Sequence, residues 1–89
     1  MNKNFFTVAA FYAFADLLNL DELQRTFTHF LKKEDIKGTV LLAHEGINGT
    51  VAGGEAGIDR FKDFLQSNNL YESQNFKTSS CPDDPFPRL

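Results

Sequence analysis

The chain has 89 residues, of which 42% are hydrophobic and 24% charged, with a formal net charge of −3 and one cysteine. That length fits one small domain with a modest core; the composition excludes a disordered chain, and a single thiol excludes an internal disulfide. A surplus of acid also argues against a domain that grips nucleic acid by charge alone, so any RNA contact has to be local or shared with another part of a longer protein.

No uninterrupted apolar run approaches membrane-spanning length. The amino-terminal stretch lacks a signal-peptide layout, because the apolar segment after Lys3 is broken by Thr7 and Tyr12 and has no convincing cleavage site. Together with a lone thiol suited to a reducing compartment, this predicts a cytoplasmic chain with no membrane partner.

In chain order, Phe5 to Phe14 reads as a first strand, with Val8, Ala10, Tyr12 and Phe14 on one face and Ala9, Phe11 and Ala13 on the other. Both faces are apolar, which predicts a central strand covered on one side. Asn19 stands as a helix N-cap, with Glu22 completing a capping box and Leu18 and Leu23 placed to form a hydrophobic staple. Leu20, Leu23, Phe27, Phe30 and Leu31 follow at helical spacing. Asp21 and Glu22 at the start and Lys32 and Lys33 at the end both complement the helix dipole. His29 lies beside the apolar stripe with no second ligand or base spaced to join it, and reads as a half-exposed helix residue.

Glu34 to Lys37 reads as a polar turn, and Gly38 opens a second strand that runs to Ala43 or His44. A return strand follows through Thr50-Val51-Ala52. The reversal is expected at Asn48-Gly49, or as a longer loop that begins at Gly46, since Asn and Gly take positive φ at little cost. Gly53-Gly54 ends that strand. A second helix runs from Glu55 to about Asn68, with Ile58, Phe61, Phe64 and Leu65 inward. Tyr71 to Ser80 is a weaker, more polar pattern and reads as an edge strand. Residues 1–81 then form one domain, and 82–89 a Pro-rich tail that continues neither strand nor helix.

The order strand, helix, strand, strand, helix, strand is that of an α+β ferredoxin-like (acylphosphatase-like) βαββαβ sandwich. Two helices are expected on one face of a four-stranded antiparallel sheet, with the other face left for solvent, ligand or another domain.

Catalytic chemistry is sparse. There is no cysteine pair for a metal, and no glycine-rich phosphate loop followed by Lys-Ser or Lys-Thr. Adjacent His44 and Glu45 point to opposite faces if both lie in a strand, which suits rim residues better than an acid–base pair. Cys81 has only Lys77 near it in sequence and reads as a structural or surface thiol. Around the hairpin, Glu45, Asn48 and Thr50 carry more hydrogen-bonding groups than a turn requires. They either bond a partner or bond each other and fix the loop.

The stretch Leu41-Leu42-Ala43-His44-Glu45-Gly46-Ile47-Asn48-Gly49-Thr50-Val51-Ala52-Gly53 resembles the LLA-x-EGINGT-x-AG signature of the rhodanese-related tRNA uridine hydroxylases, a bacterial family. Ala9-Ala10-Phe11-Tyr12-Ala13-Phe14 resembles its opening AAFYKF strand, with Ala13 where lysine is common. Phe76-Lys77 and Pro85-Phe86-Pro87-Arg88-Leu89 resemble its FK and PF-x-RL segments. The resemblance runs from about Val8 to Leu89. It implies an accessory N-terminal domain that helps bind tRNA or shape the site, while a rhodanese-like domain of the same protein, beyond these residues, carries the catalytic cysteine. It further implies hydroxylation of the wobble uridine at carbon 5 with molecular oxygen as co-substrate, and no catalytic residue, metal or cofactor in this stretch. The chain is then expected to be an excised N-terminal domain, with a natural short protein as the alternative. Glu45, Asn48, Thr50 and Lys77 are the binding candidates, with Lys32, Lys33, Lys37 and Lys62 as further phosphate contacts.

Two other readings stand beside it. A free-standing acylphosphatase-type hydrolase shares the fold, but Ala15-Asp16-Leu17-Leu18-Asn19 offers neither the glycine-rich loop nor the arginine that would hold a phosphate. A purely structural or interaction domain is the third reading.

Overall fold

The computed structural model describes residues 6–81. The proline-rich tail at 82–89, the strand start at Phe5 and the environment of the Cys81 thiol lie outside the described residues. The elements are β1 (Phe6–Phe14), α1 (Leu20–Lys33), β2 (Lys37–Ala43), β3 (Gly46–Gly53), α2 (Glu55–Ser67), a single 3-10 turn (Ser73–Asn75) and β4 (Phe76–Cys81). The strands form one antiparallel sheet in the order β2-β3-β1-β4, with both helices on one face. This is the expected βαββαβ sandwich, with β1 central and β4 at an edge.

The core lies between helices and sheet. Ala9, Phe11 and Ala13 of β1 and Ile47 and Val51 of β3 are buried beneath Phe27 of α1 and Ile58, Phe61 and Leu65 of α2. Small alanines alternate with one phenylalanine along β1, and that leaves room for rings from above. Phe61 meets Phe11 edge-on at 5.2 Å, Phe64 meets Phe27 edge-on at 4.9 Å, and Phe30 stacks on Phe64 at 4.3 Å. Each fully buried phenylalanine contributes on the order of 1.5–3 kcal/mol through the apolar area it removes from water.

Both helices stop in the same way. Asp35 (φ 55°) and Asn69 (φ 59°) take the left-handed conformation. Beyond them the amides of Ile36 and Leu70 bond back to the carbonyls of Leu31 and Leu65, at 2.9 and 2.8 Å. This is a Schellman ending, and it folds Ile36 and Leu70 into the core, where both are buried. The polar turn expected at Glu34 to Lys37 therefore contains a core residue.

Three local expectations are corrected. Asn19 does occupy the N-cap of α1, but its side chain makes no capping bond, and its carbonyl accepts the Leu23 amide at 2.9 Å. Leu18 is 86% exposed and staples nothing, while Leu17 takes the buried place. The last strand starts at Phe76, because Ser73–Asn75 are wound into the 3-10 turn. No helix of the described residues is long and apolar enough to cross a membrane.

Candidate functional site

The hairpin does not reverse at Asn48-Gly49. Ala43 pairs with Gly46, so His44 and Glu45 alone make the turn and the Asn-Gly pair lies inside β3. The glycines answer to neighbouring strands. Gly46 has φ 154°, and a Cβ on it would run into the backbone of Ala13. A Cβ on Gly49 would stand 3.0 Å from Val40 Cα and 3.1 Å from the Phe11 ring, which lies across the gap the glycine leaves.

With the turn at His44-Glu45, register decides which side chains share the open face. Phe14 lies opposite Gly46, Tyr12 opposite Asn48, and Ala10 between Thr50 and Lys77; Leu41 and Thr39 of β2 continue the rows past Asn48 and Thr50. Together they line a broad concavity of about 920 Å³, with Glu45 at its rim. Tyr12, Phe14 and Leu41 are 47%, 78% and 57% exposed, large apolar groups left on the side of the sheet that carries no helix among the described residues. The Tyr12 and Phe14 rings meet edge-on, with centroids 5.8 Å apart.

All four binding candidates from the sequence, Glu45, Asn48, Thr50 and Lys77, line this one concavity. None of their side chains makes a hydrogen bond or ion pair among the described residues. They do not fix the loop by bonding each other. The fixing is done by His44, whose ring Nδ1 is 2.8 Å from the Leu17 carbonyl. A carbonyl only accepts, so Nδ1 carries the proton. The Leu17 amide returns a bond to the His44 carbonyl at 3.0 Å, and the Ala15 amide bonds the Glu45 carbonyl at 2.9 Å. The segment after β1 is thus zipped to the hairpin. Two of the amides that a phosphate loop would present there are already spent, which weighs against the acylphosphatase-type chemistry.

Three of the other lysines lie away from Lys77. Lys33 lies over the Phe30 ring at 5.6 Å and Lys62 over Tyr71 at 5.7 Å, both in the helical layer, and Lys32 is at the end of α1. Lys37 shares the open face by register with Ala52. Among the described residues no three His, Cys, Asp or Glu side chains come together as metal ligands would. His29 stays exposed on α1. Sequence reasoning had not singled out Tyr12, Phe14 or Leu41 as site residues, although the apolar character of both faces of β1 signalled that one of them lacked cover.

Fold and site together define an acylphosphatase-like α+β domain with a concavity on an open, aromatic-bearing sheet face. The chain belongs to the family of the UPF0176 acylphosphatase-like domain, whose profile matches residues 6–89. It is similar to the N-terminal part of proteins named tRNA uridine(34) hydroxylase. It is 45% identical over all 89 residues to the one from Bartonella henselae, covering 29% of that protein. Over 84 residues, 94% of this chain, it is 39% identical to the one from Picosynechococcus sp. and 33% identical to the one from Ehrlichia canis, covering 28% and 31% of them. The chain thus spans less than a third of the length of these curated relatives.

Proposed function

We propose that this chain is the accessory N-terminal domain of an oxygen-dependent tRNA uridine hydroxylase acting at position 34 in the cytoplasm. A rhodanese-like domain of the same protein supplies the catalytic cysteine. The observation that carries the reading is similarity across the whole chain to hydroxylases more than three times as long. The open face supports it, because Glu45, Asn48, Thr50 and Lys77 hold hydrogen-bonding groups with no partner among the described residues. They would contact tRNA or the neighbouring domain at the edge of the reaction site. The domain contributes binding and shape, and no residue in it acts on the uridine directly.

The test uses the full-length protein in a host whose tRNA lacks the hydroxylated uridine. Nucleoside mass spectrometry of tRNA should find the modification restored by the wild type and lost when residues 1–81 are removed, with tRNA binding lost alongside. A truncated protein that folds and hydroxylates at the wild-type rate would show the domain to be dispensable and end this reading.

A further inference from the structure

We infer that the open sheet face is a stacking platform for unpaired nucleotides: Tyr12 and Phe14 receive bases, Asn48 bonds the edge of the base on Tyr12, and Lys77 meets a phosphate. The inference rests on the tRNA reading above and names what part of an RNA this face takes.

Tyr12 and Phe14 are successive open-face positions of a central strand, 47% and 78% exposed, and in ring contact with each other. Bases stack on such rings whatever their sequence, because every base has a π-face. Successive positions on one face of a strand are about 7 Å apart, so the rows step along β1 as an extended strand of nucleotides steps along its backbone. One row presents Phe14. The next presents Tyr12 with the Asn48 amide directly opposite, a donor and acceptor pair suited to the edge of a base. The third presents Ala10, too small to fill its place, between the Thr50 hydroxyl and the Lys77 ammonium, which leaves space for a sugar and a charge for its phosphate.

The choice of unpaired RNA over duplex follows from charge. A duplex is held by a basic field, but the net charge is −3, Lys32, Lys33 and Lys62 lie off this face, and among the described lysines Lys37 alone joins Lys77 on it. The choice over another protein domain follows from the polar groups. The fully covered centre of a protein interface is depleted in charge, whereas here an ammonium, an amide and a hydroxyl interleave with the rings, all without partners among the described residues.

The experiment compares full-length wild type with Tyr12→Leu, Phe14→Leu, the double variant, and Tyr12→Phe. Leucine keeps an apolar side chain and removes the π-face; phenylalanine restores it. Dissociation constants are measured for unmodified tRNA, for a short single-stranded oligoribonucleotide and for the same sequence as a duplex, with a melting temperature for each protein. The double leucine variant should bind tRNA and the single strand about 10- to 100-fold more weakly. Tyr12→Phe should stay within about threefold of wild type, the wild type should prefer the single strand to the duplex, and melting should stay within about 2 °C. Unchanged binding by the leucine variants, in a protein whose wild type hydroxylates tRNA, overturns the platform and leaves the tRNA reading intact. A fall in melting temperature with unchanged affinity per folded molecule also overturns it, since another part of the same protein then occupies this face. A wild type that neither binds nor hydroxylates tRNA removes the functional reading and the platform with it.

Discussion

His44 and Leu17 hold each other by two hydrogen bonds: the Leu17 amide donates to the His44 carbonyl at 3.0 Å, and the His44 ring donates from Nδ1 to the Leu17 carbonyl at 2.8 Å. The pair joins the end of β1 to the turn that leads into β3, and so anchors the rim on which Glu45 stands. His44→Ala removes the ring bond and leaves that carbonyl to water. The expected loss is about 0.5–1.5 kcal/mol, visible in urea melts, with faster hydrogen exchange at the Leu17 amide. Unchanged exchange at Leu17 would mean the ring bond holds nothing.

Phe27 is 2% exposed and packs on Phe61 and Phe64. Phe27→Ala should cost roughly 3–5 kcal/mol, a large share of a small domain's stability. A loss below about 1 kcal/mol in the same melts would show that this face of α1 contributes little to the core.

Gly46 has no room for a side chain, with φ 154° and the Ala13 backbone where a Cβ would stand. Gly46→Ala should destabilise by more than about 2 kcal/mol and disturb the β1–β3 pairing, through strain at a special backbone position. Gly54, with nothing within 4 Å of its would-be Cβ, is the control. At this N-cap position Gly54→Ser should change stability by only a few tenths of a kcal/mol, roughly, and in the favourable direction. Equal effects at both positions would contradict the close approach of β1 to Gly46.

The side chains of Glu45 and Asn48 make no hydrogen bond among the described residues, so removing them should cost function and not fold. Glu45→Ala and Asn48→Ser in the full-length protein should change stability by less than about 0.5 kcal/mol each while lowering tRNA hydroxylation. Serine is the right replacement because Asn48 lies within β3, where glycine would weaken the strand for an unrelated reason. If activity falls only in proportion to folded protein, these side chains take no part in the site.

Glu34 and Arg60 form an ion pair at 2.8 Å between the end of α1 and α2. The hydrogen bond from Arg60 holds the Glu34 carboxyl below its ordinary value. A lowered carboxylate contributes stability above its unfolded-state value and loses it as pH falls through the folded-state value. Wild type should therefore melt above Glu34→Gln near neutral pH, and the gap should close in acid. High salt should narrow it as well, because the Arg60 side chain is largely exposed. A gap that stays constant from neutral to acid pH would show that the pair adds nothing through its charge.

The sequence by itself determined the order of elements, the fold and most of the core. These depend on local periodicity: alternation in Ala9 to Phe14, and helical spacing in Phe27, Phe30, Phe61 and Leu65, survive translation into structure because burial enforces them. The family was legible too, in the run from Leu41 to Gly53. The placement of the turn was decided only in three dimensions. Asn48-Gly49 has the local chemistry of a reversal, but the register that buries Ile47 and Val51 moved the turn to His44-Glu45, and the glycines serve close approach between strands. The capping box at Asn19 failed because burial of Leu17, with its bonds to His44, fixed how the chain enters α1. The candidate face was likewise a tertiary outcome. Lys77 lies nearly thirty residues beyond Asn48 in sequence, and only the pairing of β4 and β3 on either side of β1 brings its ammonium onto the face that carries Asn48, Tyr12 and Phe14.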